Sequence, residues 1–377
     1  MRPNYTEIKS QEQLMQVMSQ PSEKPLRRIA FHGVNFREMP EQALGHQYRE
    51  CIFLACQLPH GFKSRLTDSL VFPDMGELFR FQTELYTADT LYEGYEVGQP
   101  ATIEKCFDGR VYKHYLERGK QSTDIKETLA RTLHDHSISN ALHHFLDNYR
   151  ETDIVGVMGG HGMKRTDEHY KRIANISKAL TEQGKLMISG GGPGAMEATH
   201  LGAWMAGRSD NELSEAFSML ADAPCFSDAS WLDSAMHVRE SFPQTRGYES
   251  VGIPTWLYGH EPSTPLATRI AKYFDNSIRE DGILTIAKGG IIFSPGSAGT
   301  LQEIFQDAVQ NHYLSFGFAS PMVFMDKEYW QSEVPVYPLI QDLVSKGRYK
   351  NLILAISDDC DEIVEEIMRF TPPCGKG

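Results

Sequence analysis

Glu303, three residues after Thr300, is the carboxylate with the most suggestive surroundings in this 377-residue chain. It follows a glycine-rich turn within Gly289–Asn311, GGIIFSPGSAGTLQEIFQDAVQN. Strand, glycine turn and helix in that order are a phosphate-binding geometry. Gly296, Ser297, Gly299 and Thr300 supply the turn. Small residues let the backbone approach an anion, and the N–H groups of the next helical turn point at it. A second reading of the same letters is a capping box, T-x-x-E at Thr300 and Glu303, which would simply start the helix.

A second glycine run lies upstream: Gly190, Gly191, Gly192, Pro193, Gly194, Ala195, Met196, Glu197, Ala198. It follows a short apolar run and precedes a helical pattern, so it is a second phosphate-grade turn. It is not G-x-G-x-x-G, and no acidic ribose partner stands about twenty residues on, which disfavours ordinary dinucleotide binding. The alternative is a tight turn that holds no ligand. A third loop, Gly159–Gly162, carries Gly160 and His161, with Lys164 just beyond; these can reach the same rim.

Positioning these residues requires buried strands and amphipathic helices in alternation. Ile154–Met158, Lys185–Ser189, Ile291–Phe293, Pro321–Met325 and Leu352–Ile356 are apolar runs of strand length. Asp167–Gln183, Ala195–Ala206, Leu301 onward, Pro338–Lys346 and Asp359–Phe370 have helical spacing. Gly252–Tyr258 reads as another strand, and Leu266 as the start of a long helix carrying Arg269, Lys272 and Arg279. Residues 208–249 read as a polar insertion with one short helix, Trp231–Arg239. The pattern predicts an α/β, Rossmann-like parallel sheet with helices on both faces over 151–372. Ligands of such sheets sit at the carboxyl ends of the strands, where both glycine turns fall.

Residues 1–150 predict an accessory α+β region. Residues 1–25 and the closing CGKG read as weakly ordered ends. Short apolar runs between Arg28 and Pro73 suggest a few strands, and Thr123–Tyr149 one or two helices. The histidines His134, His136, His143 and His144 read as solvated helix surface, because H-x-H on a helix splits the rings between faces; no metal is expected. Net charge is −13, which argues against nucleic-acid and anionic-membrane partners. No membrane-length apolar run or signal core is visible. Six scattered cysteines suit a cytoplasmic, reduced protein.

GGGPGAMEA and PGSAGTLQE resemble the GGGxxGLMG and PGGxGTxxE motifs of the Lonely Guy family. The GPGxMEA form is nearer the longer bacterial nucleotide nucleosidases of that superfamily. The resemblance covers about residues 152–370. It implies a Rossmann-like homodimer or higher homo-oligomer that hydrolyses a nucleoside 5′-monophosphate to free base and ribose 5-phosphate, without a cofactor. It further implies that Glu303 and Arg279 are catalytic. Gly190, Gly191, Gly192, Gly194, Met196, Gly296, Ser297, Gly299 and Thr300 would bind the nucleotide. Arg279 can alternatively be a surface ion pair with Asp275 or Glu280. Ser297 stands where the family has glycine, and Glu197 where short members have glycine. The rival from another class is a non-catalytic nucleotide or cofactor carrier, since molybdenum-cofactor carriers resemble this fold. Amino-acid decarboxylation, the family's old label, would need a pyridoxal-bound lysine, for which no residue here has a fitting context.

Overall fold

The computed structural model describes residues 5–19, 24–40 and 45–372. Pro21–Glu23 and the CGKG end lie outside them. By packing, the chain forms two units. The first comprises residues 1–84 and 122–141; the second comprises 85–121 and 142–377. This division differs from a boundary at 150, because Leu85–Gln121 packs with the second unit.

The first unit winds short strands into parallel rungs. β1 (Thr6–Ile8), β3 (Ile29–His32), β5 (Ile52–Leu54) and β7 (Leu70–Phe72) make one sheet; β2 (Leu26–Arg27), β4 (Tyr48–Arg49) and β6 (Leu66–Thr67) make another. Arg28, Glu50 and Asp68 turn the corner between the sheets with φ of 53°, 56° and 51°. Register stacks Phe31 on Phe53, ring centroids 5.0 Å apart, inside a core with Phe36, Tyr48 and Phe62. The supposed lead-in therefore holds β1 and helix α1 (Gln11–Met18), whose Leu14 and Met18 are buried in this core.

The second unit opens with α2 (Ala88–Leu91) and α3 (Phe107–Arg118); α4 (Ile125–Leu146) spans the division between the units. His134 on α4 is fully buried, contrary to its reading as solvated surface, whereas His136 and His143 are exposed as read; Ile125 and Leu129 are exposed too. The sheet follows. Its strands are β8 (Ile154–Met158), β9 (Leu186–Ser189), β10 (Ser250–Gly252), β11 (Arg269–Ile270), β12 (Gly290–Phe293), β13 (Pro321–Met325) and β14 (Ile353–Ser357). All seven are parallel, in the order β11-β10-β9-β8-β12-β13-β14. The α/β, Rossmann-like reading holds. The order reverses between β8 and β12, and that switch point opens a crevice at the strands' carboxyl ends.

Helices cover both faces. α5 (Glu168–Glu182), α6 (Ala195–Trp204) and α12 (Cys360–Arg369) share a core with Val155, Val157, Ile292 and Val323. Each buried side chain of this kind contributes about 1.5–3 kcal/mol. The intervening residues face the other way, where Phe293 meets Phe324 and Phe324 meets Tyr337 of α11 (Val336–Ser345). α9 (Asn276–Ile286) and α10 (Ala298–Tyr313) pack together.

Three further expectations, all in the second unit, fail. Residues 208–249 are not one short helix in irregular chain. α7 (Asp210–Leu220) starts at a Ser209/Glu212 capping box and precedes α8 (Trp231–Ser241). No helix begins at Leu266: Arg269–Ile270 pairs with β10 as an edge strand, and Asp275 caps α9 by accepting from Ser277 N at 2.9 Å. The strand expected over Gly252–Tyr258 is short, since β10 ends at Gly252 and Trp256–Tyr258 is a 3-10 turn.

Candidate functional site

Three loops meet at the switch point. Gly160 N donates to Pro295 O at 3.1 Å, joining the β8 loop to the β12 loop. Ala195 N donates to Gly160 O at 3.2 Å, joining the β9 loop to the same place. Gly194 permits this approach: its φ is +69°, and a Cβ there would stand 2.4 Å from Gly160 O. A cavity of about 270 Å³ opens where they meet. Gly160, His161, Met196, Arg279, Ser297, Gly299, Thr300 and Glu303 line it.

The floor is the start of α10. The helix begins at Ala298 with Ser297 as its N-cap, and no side chain caps it. Thr300 is thus inside the first turn and Glu303 lies further along, so the capping-box reading of this pair is wrong. An uncapped first turn leaves N–H groups without intrahelical acceptors, directed at the cavity mouth. Ser297 has φ of −102°, an ordinary value, so serine is unstrained where the motif has glycine.

Glu303 faces the cavity half-buried. Loss of water pushes its carboxyl up to about 7; Arg279 pulls it down and Glu280 pushes it up. Arg279 is anchored rather than paired at the surface. Its Nε donates to Ile253 O at 3.1 Å, and its guanidinium lies so close over Gly190 that a Cβ there would be 2.2 Å from Nη2. Asp275, offered as its ion-pair partner, is instead the α9 cap.

Other predicted residues stand behind the cavity. Gly191 N donates to Ser189 Oγ and Gly191 O accepts from Thr264 N, which spends its backbone on the fold. Gly190, Gly192, Gly194 and Gly296 support the wall without lining it; Gly296 O accepts from Tyr329 Oη at 2.6 Å. Lys164 is exposed and does not line the cavity. Beneath the β9 loop, His200 bridges Ser189 Oγ (2.8 Å) and Ser250 Oγ (2.9 Å), and burial lowers its pKa to about 3.

Glu197 does not put charge into the cavity. It is fully buried and held by both arms of Arg165, at 2.6 and 2.8 Å, with Tyr170 Oη donating at 3.0 Å. Arg165 also donates to Ala223 O, Ser234 Oγ and Trp231 O, fastening α6 to α8. Sequence reasoning missed Arg165. The available signal was a glutamate inside the otherwise apolar helix AMEATHLGAW, since a buried carboxylate demands a cation. It also missed Tyr258, Glu261, Gln302 and Gln306 on the cavity wall. Gln302 and Gln306 flank Glu303 on α10, and that adjacency was readable.

No protein-family profile matches this chain, and no curated protein matches it. Solved structures match part of it. The molybdenum cofactor binding protein of the phototrophic bacterium Rippkaea orientalis is 16% identical, over 57% of this chain and 96% of that one, at a TM-score of 0.34. The Moco carrier protein of Chlamydomonas rheinhardtii is 15% identical, over 57% and 95%, at a TM-score of 0.34. The structural-genomics target TM1055 is 18% identical, over 58% and 99%, at a TM-score of 0.37. Among the described residues, no helix is long and apolar enough to cross a membrane.

Proposed function

We propose that the second unit hydrolyses the N-glycosidic bond of a nucleoside 5′-monophosphate to free base and ribose 5-phosphate. The observation that carries this reading is the meeting of Glu303, Arg279 and the uncapped first turn of α10 in one cavity at the sheet's switch point. The phosphate is held by the N–H groups of that turn and by the hydroxyls of Ser297 and Thr300. A helix N-terminus contributes about 0.3–1 kcal/mol to such an anion, and more when partly buried. Arg279 meets the phosphate or the ribose hydroxyls.

The reaction breaks the bond between C1′ and the base nitrogen. Positive charge spreads over the ring as the base departs with the bonding pair, as in other glycoside hydrolyses. Glu303, as carboxylate, stabilises that charge and orients water towards C1′. The new bond is from water oxygen to C1′; one water proton passes to Glu303 and from it to the departing base, which restores the carboxylate. A carboxyl with pKa near 7 is suited to both taking and returning that proton. The Lonely Guy resemblance supports the same assignment and adds a homo-oligomeric enzyme as the working form.

The test is product analysis with a panel of purine and pyrimidine 5′-monophosphates. Wild type should release base and ribose 5-phosphate, and Glu303→Gln should be slower by about 10²–10⁴-fold. Tight binding of a monophosphate with no base released would instead make the protein a carrier of the nucleotide or of a related cofactor.

A further inference from the structure

A second and larger cavity, of about 850 Å³, opens in the same unit. Its walls come from α3, from Pro100–Glu104, from the chain before α8 and from Gly259–Pro262. Ile103, Leu116, Phe226 and Leu232 make it largely apolar, and Tyr95 and Tyr112 add aromatic surface. Its charges are unequal. Glu104, Glu117 and Asp228 stand against Lys113, while Asp108 is already neutralised by the buried Lys272 at 2.7 Å.

Only a thin partition separates it from the nucleotide cavity. Tyr258 and Glu261 line the nucleotide side; Gly259, His260 and Pro262 line the other. Glu261 stands 3.7 Å from His161 and 3.8 Å from His260, one on each side. Phe226 meets the His161 imidazole edge-on, centroids 6.0 Å apart.

We propose that this cavity is a second ligand site, for an aromatic compound that bears an amine and carries no phosphate. An open, apolar, partly aromatic cleft of this size can take the ring body. Carboxylates are acceptors only, so they recognise N–H donors and cations and repel anions. The chemistry is shared by an amino-substituted base released next door and by an unrelated aromatic amine. The first source rests on the nucleosidase reading and the second does not; the site itself is built from residues outside the nucleotide cavity.

The test is calorimetric titration of the full chain with adenine, cytosine and tryptamine, each in excess inorganic phosphate. Leu116, which is 49% exposed, and exposed Ala101 can be changed without opening the core. At least one of the three should bind wild type and Glu303→Gln equally, and bind Leu116→Arg and Ala101→Trp at least tenfold more weakly. Binding of the bases alone assigns the site to the released base; binding of tryptamine as well assigns it to aromatic amines in general. The proposal is overturned if none of the three binds, if both variants bind as wild type does, or if AMP competes for this site.

Discussion

At the scale of single residues, two buried carboxyls of α10 shape the pH behaviour: Asp307, which burial pushes up to about 8, and Glu303. The folded pKa of Glu303, about 7, exceeds the ordinary 4.5, because burial opposes the charge more than Arg279 favours it. The folded state therefore holds the proton more tightly than the unfolded state. Its contribution to stability is full below pH 4.5 and is lost as pH rises through 7. Glu303→Gln removes that loss. In paired urea melts it should exceed wild type at pH 8 by up to about 3 kcal/mol and show no such advantage at pH 4. An equal gap at both pH values would show that the buried carboxyl is not its origin. If the carboxylate is the working form, base release should also climb through pH 7 in wild type and lose that step in the variant. The glycine turns make a sharper contrast. Gly194→Ala puts a Cβ 2.4 Å from Gly160 O at positive φ, so it should cost about 1–3 kcal/mol and weaken nucleotide binding. Ser297→Gly relieves nothing, since φ there is already ordinary, and its thermal shift should correspond to less than about 1 kcal/mol.

At the scale of elements, the first turn of α6 is fixed from behind by the Arg165–Glu197 fork. Arg165→Met alone strands a buried carboxylate and should cost about 3–5 kcal/mol in chemical denaturation. Adding Glu197→Leu should recover much of that, because the uncompensated charge is then gone; a double variant as unstable as the single would refute this account. Of the second unit's elements, β8, β9, β12, β13 and β14 were legible because each is a continuous apolar run of strand length, whereas α7 and the edge strand β11 were not. That Glu303 and the α10 turn would line one cavity was legible from the spacing of a short stretch, and Arg279 joined them through the family resemblance. Arg165 and Lys272 were not legible. A cation that ends up fully buried has the same letters as one in solvent, and the deciding carboxylates, Glu197 and Asp108, are distant in sequence. Likewise Arg269–Ile270 has helical neighbours in sequence, but a strand edge claimed it.

At the scale of the whole molecule, the chain order and the packing order disagree. Leu85–Gln121 follows the rungs of the first unit yet packs with the second. Three of the first unit's strands, β3, β5 and β7, fall in the short apolar runs the sequence offers, but their stacking into parallel rungs escaped reading because the strands are two to four residues long and the corners recur at unequal intervals. The tie of Leu85–Gln121 is specific. Tyr86 and Ile270 exchange backbone hydrogen bonds at 3.0 and 2.7 Å, extending the edge strand β11. Tyr95 Oη and Gly98 N both donate to Asp233 Oδ1, and Asp108 accepts from Trp256 Nε1 while pairing with Lys272. A chain beginning at residue 151 would keep every predicted site residue and lose these partners. Lys272 would lose its carboxylate and Trp256 Nε1 its acceptor, and an ordinary domain has only about 5–15 kcal/mol of stability to lose. Such a chain should therefore melt without a cooperative transition, or far below the full-length protein, when followed by circular dichroism. A sharp transition at the full-length temperature would mean that Leu85–Gln121 decorates the second unit without stabilising it. Asp108→Ala in the full chain isolates one of these ties and should lower the melting temperature in the same direction.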